Sequence, residues 1–236
     1  MYIMKLIIFQ IFTLFVLSCS TTKQESIVEL DSNWEFKSEN DKDYLPASVP
    51  GTVHLDLLQN GKIDDPFFRL NEHKLQWIDK LVWEYRTSFD VNDSHFTYEA
   101  IELDFFGLDT YADVFLNDSL IYSSENMFLG KTVNVKKKIK KGKNNLLVKF
   151  KSPIDVGIEK YDKLGYTLPD NANDLSEIGR VPDNKKVGVF ERKAPYSFGW
   201  DWGPRLVTSG IWRPIKINFW NNFQIKDLHY IQKIKD

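Results

Sequence analysis

Cysteine is almost missing from this sequence: Cys19 is the only one in 236 residues. A single thiol excludes an internal disulfide framework and any Cys-based metal site. Histidine is nearly as scarce. His54, His73, His95 and His229 are scattered, with no i,i+4 pair and no neighbouring Cys, whereas a metal site needs several convergent ligands. Neither a metal nor an organic cofactor is therefore expected. The sequence also lacks a phosphate loop, a Gly-rich dinucleotide turn and a G-x-S-x-G elbow. Acidic pairs such as Asp64 and Asp65 are adjacent, so on a strand they point to opposite faces and cannot flank one bond; Asp65 and Pro66 read as a turn. Nor is there an excess of positive charge, since 31 Lys and Arg face 33 Asp and Glu. That balance, with ordinary proportions of 42% hydrophobic and 27% charged residues, argues against a nucleic-acid binder or a disordered chain. The six lysines between 136 and 143 have no interleaved aromatics. They read as a solvated edge strand and turn, where Lys discourages edge-to-edge pairing.

No apolar run reaches the ~20 residues that span a bilayer. The longest, residues 6–17, follows Lys5 and is broken only by Gln10 and Thr13, matching the n- and h-regions of an export signal. Val16, Leu17, Ser18 and Cys19 resemble a bacterial lipobox, in which the Cys becomes the lipidated first residue. An ordinary cleaved signal with an incidental Cys is the alternative. The expectation is a signal peptide over 1–18, lipidation at Cys19, a polar tether over 19–26, and an exported chain held by lipid on the periplasmic or outer side of a bacterial membrane.

What is abundant is aromatic: 14% of the residues, with seven Trp. Indoles are costly to expose, so they imply a large core, an interface or a stacking surface for a ligand. From Ile27 onward strand signals outnumber helix signals. Residues 81–89 are rich in β-formers, with Val82, Glu84, Arg86 and Ser88 on one face. Residues 101–105 and 112–116 alternate. Asn117 and Asp118 supply a hairpin turn. Val133 and Val135 alternate with polar residues, residues 142–145 turn the chain into a strand at 146–150, and 211–219 is the last strong strand. One helix is expected, over residues 53–60, with Thr52 able to cap its start and Gly61 able to close its end. Many short strands separated by turns define an all-β sandwich. Residues 153–195 break the rhythm and read as a long polar loop, functional or mobile. Residues 225–234 read as a fresh strand, the truncated start of a following domain over 223–236. The main domain is expected over 27–222.

The strongest local signal is Ser-Phe-Gly-Trp-Asp-Trp-Gly-Pro over residues 197–204. Glycines admit unusual backbone angles and Pro204 fixes one, so the loop can bend sharply and hold. The Asp201 carboxylate is a pure acceptor able to take two hydroxyl hydrogen bonds. The Trp200 and Trp202 indoles offer flat faces for the C–H side of a pyranose. Sugar contact is one reading of these residues; the other is that both Trp are core and Asp201 merely caps a turn.

Taken together, several stretches resemble the N-terminal domain of β-mannosidases of glycoside hydrolase family 2. They are Val49 to His54 as VPGTVH, Asp65 to Phe67 as DPF, Trp83 to Tyr85 as WEY, FGLDTYA from Phe106, ENMF from Glu125, KAPY from Lys193, the 197–204 loop, and GIWRP from Gly210. They run in order over nearly all of residues 27–220. The resemblance implies a jelly-roll, galactose-binding-like β-sandwich with one or two short helices, followed in complete enzymes by immunoglobulin-like domains and a (β/α)8 barrel. Such enzymes release single β-linked mannose residues with retention, using two carboxyl groups about 5–5.5 Å apart. Both are barrel Glu residues in the family. A barrel takes about 250 residues, so this chain is expected to carry no catalytic residue and to be inactive alone. The resemblance gives Asp201 the role of binding sugar hydroxyls, with Trp200 and Trp202 beside it. The expected partners are a β-mannoside oligosaccharide, the barrel and immunoglobulin-like domains of the complete enzyme, and a membrane through the lipid. Two rivals are a free-standing lipid-anchored carbohydrate-binding module and an enzyme of the same architecture for another sugar, a β-galactosidase or exo-glucosaminidase.

Overall fold

A computed structural model describes residues 25–166, 168–169 and 173–234. The stretches expected to be a signal peptide, a lipobox with Cys19 and most of a tether lie outside these residues. The described strands are β1 (Glu25–Glu29), β2 (Trp34–Ser38), β3 (Leu45–Ala47), β4 (Trp83–Val91), β5 (Ala100–Phe105), β6 (Tyr111–Leu116), β7 (Ser119–Glu125), β8 (Lys131–Asn134), β9 (Gly142–Phe150) and β10 (Ile215–Trp220). They form two antiparallel sheets, ordered β1-β10-β5-β8 and β3-β2-β4-β9-β6-β7. This is the expected all-β sandwich. Among the described residues three α-helices accompany the strands: α1 (Val53–Gln59), α2 (Asp93–Phe96) and α3 (Pro153–Leu164).

Alternation explains the layers. Ile101, Leu103 and Phe105 of β5 and Ile215, Ile217 and Phe219 of β10 are buried, as are Phe36 of β2, Trp83 and Tyr85 of β4, and Val148 and Phe150 of β9. These side chains belong to one core. Aromatics interlock inside it: Phe36 stacks on Trp83 at 5.9 Å, and Tyr85 meets Phe150 edge-on at 5.8 Å. Each such ring contributes about 1.5–3 kcal/mol by leaving water. The buried indoles keep partners, Trp34 Nε1 donating to Leu30 O at 2.8 Å and Trp83 Nε1 to Ile78 O at 2.9 Å. Asn117 and Asp118 both have positive φ, at 49° and 66°, the type I′ signature of a two-residue hairpin.

Helix α1 forms where expected, with Gly61 at φ 64° beyond its end. Thr52 occupies the N-cap position, yet its side chain makes no capping bond. The helix is tied down instead by Asp56, which accepts from Tyr85 Oη at 2.6 Å and Ser48 N at 2.8 Å.

Several expectations need correction. Helix α3 occupies the start of the stretch read as loop. Ser152 Oγ caps it by accepting from Asp155 N at 3.0 Å, Pro153 stands in its first turn, and Gly165 ends it at φ 76°. β10 begins at Ile215 rather than Ile211, because Pro214 has no N–H to give a ladder. β1 starts at Glu25, so Glu25 and Ser26 belong to the sheet and not to a tether. The lysine run forms no edge strand: Lys136 to Lys141 lie in the loop between β8 and β9 and Lys143 opens the inner strand β9, with Lys136 Nζ donating to Phe96 O at 2.6 Å and Tyr98 O at 2.7 Å. Residues 225–234 form no strand: they find no ladder partner and leave Ile225, Leu228, Tyr230, Ile231 and Ile234 exposed.

Candidate functional site

A cavity of about 450 Å³ opens between the connecting segments, within the range of sugar-sized ligand sites. Residues far apart in sequence build its wall. Thr52 comes from the cap of α1, Phe67 from the 65–68 turn, Asp109 from the β5–β6 connection and Met127 from the segment after β7. Tyr196, Trp200, Trp202, Pro204 and Thr208 come from the 197–204 loop and its stems, and Trp212 from the approach to β10. All but one of the stretches that carry the resemblance, the exception being residues 83–85, reach this single cavity. Three of the seven Trp line it, while Trp34 and Trp83 serve the core.

Locally the loop folds as its residues dictate. Residues 195–198 make one 3-10 turn that sinks Phe198 into a small satellite core with Ile154, Val181, Val187 and Val207. Gly199 follows at φ 122°, where an added Cβ would lie 2.6 Å from Leu175 Cγ and 2.8 Å from Asn173 O. Gly199→Ala is expected to cost about 2–3 kcal/mol through backbone strain and overlap. Thermal unfolding checks this, and an unshifted midpoint would refute it. Residues 200–203 then form a tight turn, with Gly203 N donating to Trp200 O at 3.4 Å.

This turn sets the two indoles against each other. Trp200 and Trp202 meet edge-on, with centroids 5.1 Å apart at 63°, and both line the cavity. Trp202 is 80% exposed at the tip. Trp200 is half-buried, and its indole Nε1 has no hydrogen-bond partner among the described residues. Asp201 is exposed at the tip beside them and stands outside the cavity wall.

Behind the loop lie ionic groups that the sequence reading did not select. Lys193 Nζ is fully buried and reaches Asp109 Oδ1 and Oδ2 at 2.5 Å, Thr208 O at 2.8 Å and Thr208 Oγ1 at 3.0 Å. Asp109 also accepts from Thr208 Oγ1 at 2.7 Å and Thr110 Oγ1 at 2.5 Å. Burial holds the Lys193 ammonium below its ordinary range, opposed by the Asp109 charge. His54 Nδ1 has no hydrogen-bond partner among the described residues. Burial first, then the Lys193 charge, pushes its imidazole down to about 4. Glu191 is buried as well. Its carboxyl is pushed up to about 7 by burial, against the Tyr111 hydroxyl and the charges of Lys160 and Lys193. The Tyr111 hydroxyl lies close by, but neither Glu191 carboxyl oxygen has a hydrogen-bond partner among the described residues.

Just past Pro204, Arg205 is wholly buried. Its Nη1 donates to Asp79 Oδ2 at 2.6 Å and to Gln76 Oε1 at 2.5 Å. Gly179 lies flat on the guanidinium, leaving no room for a Cβ. Burial pushes the Asp79 carboxyl up by more than Arg205 draws it down. Among the described residues no cluster of three or more His, Cys, Asp or Glu could hold a metal.

Ten described antiparallel strands in two sheets, with connecting segments that converge on an aromatic cavity, make this a galactose-binding-like β-domain. The chain belongs to glycoside hydrolase family 2: residues 34–213 match the family described as "Glycosyl hydrolase 2 galactose-binding domain-like". It is 35% identical over 215 residues to a "Probable beta-mannosidase" of Caenorhabditis elegans, which covers 89% of this chain and 23% of that protein. It is 36% identical over 211 residues to "Beta-mannosidase B" of Thermothelomyces thermophilus, covering 86% and 23%. The crystal structure of a β-D-mannosidase from Dictyoglomus thermophilum superposes with a TM-score of 0.76 at 43% identity, over 83% of this chain and 23% of that one. The chain thus spans less than a quarter of the length of these relatives.

Proposed function

We propose that this chain forms the N-terminal wall of the sugar pocket of a retaining exo-β-mannosidase, whose catalytic Glu pair lies on a barrel outside the chain. The observation that carries the reading is the Trp200–Trp202 turn, which sets two indoles against an apolar cavity and leaves an indole N–H unpartnered. A pyranose offers both C–H faces for the rings and hydroxyl oxygens for that N–H. Asp201 stands at the exposed tip, where its carboxylate is free to meet sugar hydroxyls once a second body closes the cavity. The exposed Phe67, Tyr196 and Trp202 form an apolar rim suited to contact with such a body. The similarity to β-mannosidases supports mannose as the sugar. The export signal and lipidation at Cys19 belong to the same proposal: an enzyme held at a bacterial membrane.

The test is a panel of aryl β-glycosides on the complete gene product. Hydrolysis of the mannoside alone is expected; a preference for galactoside or glucosaminide overturns the assignment. In that enzyme Asp201→Ala should cost about 1.5–3 kcal/mol of transition-state binding, the range for hydrogen bonds to charged groups. This is a fall in kcat/KM of roughly 10- to 150-fold, and an unchanged kcat/KM sinks the role of Asp201. A gene product no heavier than 27.7 kDa with measurable affinity for mannosides would instead support a free-standing binding module.

A further inference from the structure

We propose that the buried Lys193–Asp109 pair is a positioning device that clamps both stems of the 197–204 loop, and so sets where Trp200 and Trp202 stand. Lys193 lies on the stem entering the loop and Thr208 on the stem leaving it. A single ammonium joins the two, donating to Thr208 O at 2.8 Å and to its Oγ1 at 3.0 Å. The same ammonium grips Asp109, whose backbone forms an isolated two-bond bridge with Gly210 just beyond Thr208. Asp109 N donates to Gly210 O at 2.9 Å, and Gly210 N returns a bond to Asp109 O at 3.0 Å. The loop is therefore referenced at both ends to one carboxylate on the β5–β6 connection.

The energetics favour this role over simple cement. A buried ion pair regains little more than the desolvation of its charges, and apolar groups of equal volume often match or exceed its stability. Apolar packing, however, does not dictate direction, whereas an ammonium whose three N–H donors are shared among Asp109 Oδ1, Asp109 Oδ2, Thr208 O and Thr208 Oγ1 is held in one direction. The charged and titratable groups that act on the pair are His54 from α1, Glu191 from the entering stem and, more weakly, Asp79 from the turn before β4. None of them bonds to it, so the clamp consists of Lys193, Asp109 and Thr208. The inference rests on the proposed sugar wall only for its consequence; whether the pair holds the loop can be measured separately.

The test uses the whole chain with ¹⁵N-labelled Trp, comparing wild type, Thr208→Val and the double variant Asp109→Leu/Lys193→Met. Thermal midpoints, indole ¹H–¹⁵N signals and the response of those signals to methyl β-D-mannoside are recorded. The double variant is expected to melt near the wild-type temperature, while the Trp200 and Trp202 signals move and broaden and those of Trp34 and Trp83 stay in place. Thr208→Val, which keeps the charges, should shift the same two signals in part, and it decides the matter if the double variant does not fold. Wild-type positions for both indoles in Thr208→Val, or in a folded double variant, would overturn the clamp. Wild-type indoles that ignore the mannoside count against the sugar wall and leave the clamp standing.

Discussion

Arg205→Met should lower the stability of the domain by about 3–5 kcal/mol at neutral pH, the cost of leaving a buried charge without its partner. The methionine replaces the bulk of the arginine stem but none of its donors, so Asp79 and Gln76 both lose bonds of 2.5–2.6 Å. Lys80 cannot take over. Its Nζ is 4.0 Å from Asp79 Oδ1 and is already committed to Gln76 O and Gly179 O, each at 2.6 Å. Asp79 should then escape its isolation by taking up a proton, so the deficit shrinks as the pH is lowered. A second substitution, Asp79→Leu, should recover most of the loss. Urea unfolding of the single and double variants measures both effects. A single variant within about 0.5 kcal/mol of wild type, the scale of an ordinary surface change, would show that the pair is not holding the base of the loop.

Glu191 makes the second large prediction. Its folded carboxyl titrates at about 7, against 4.5 for the free side chain. Because the folded value is raised, the unfolded chain loses this proton first. The contribution of the neutral carboxyl is complete below pH 4.5 and drains away as the pH rises to about 7. By linkage the full loss is about 3 kcal/mol, at 1.36 kcal/mol per unit. Glu191→Gln stays neutral throughout, so it should match wild type in acid and exceed it by up to that amount at pH 8. His54 works in the opposite direction, since its folded value of about 4 costs stability as the pH falls from 6.5. The two trends overlap in one window, so the informative quantity is variant minus wild type, from urea midpoints at pH 5 and pH 8. A flat difference across that range rules out a buried, ionising Glu191.

The sheets were legible because their signal is local. Residues 101–105 alternate cleanly, and Leu103 can face the core only if Glu102 and Asp104 do not. Helix α3 escaped notice although its punctuation was present: Ser152 and Pro153 at the start and Gly165 at the end. Only Pro153, Ile154 and Gly157 are buried along it, so its apolar stripe is thin, and two of those three residues look like helix breakers. The tip of the site was legible because its Trp, Asp and Gly are consecutive. Its walls were not, since Thr52, Phe67, Met127 and Trp212 meet only after both sheets have assembled. The same holds for Lys193 and Asp109, which are 84 residues apart; a lone Lys beside Ala and Pro announces nothing about a partner that topology supplies.

The pairing of β1 with β10 has a mechanical consequence. Glu25 lies opposite Trp220 and Glu29 opposite Lys216, so the strand that begins the described chain and the strand that ends its sheets are loaded from the same end. Force drawn between the segment before Glu25 and the segment after Trp220 acts as an unzipper. It opens one ladder bond at a time, each worth about 0.5–1.5 kcal/mol, instead of shearing all of them together. β1 is an edge strand with mostly exposed side chains, so peeling it uncovers little of the core. A pull on the N-terminal segment would therefore be absorbed as slack in one strand, with the cavity and the two sheets behind it left intact.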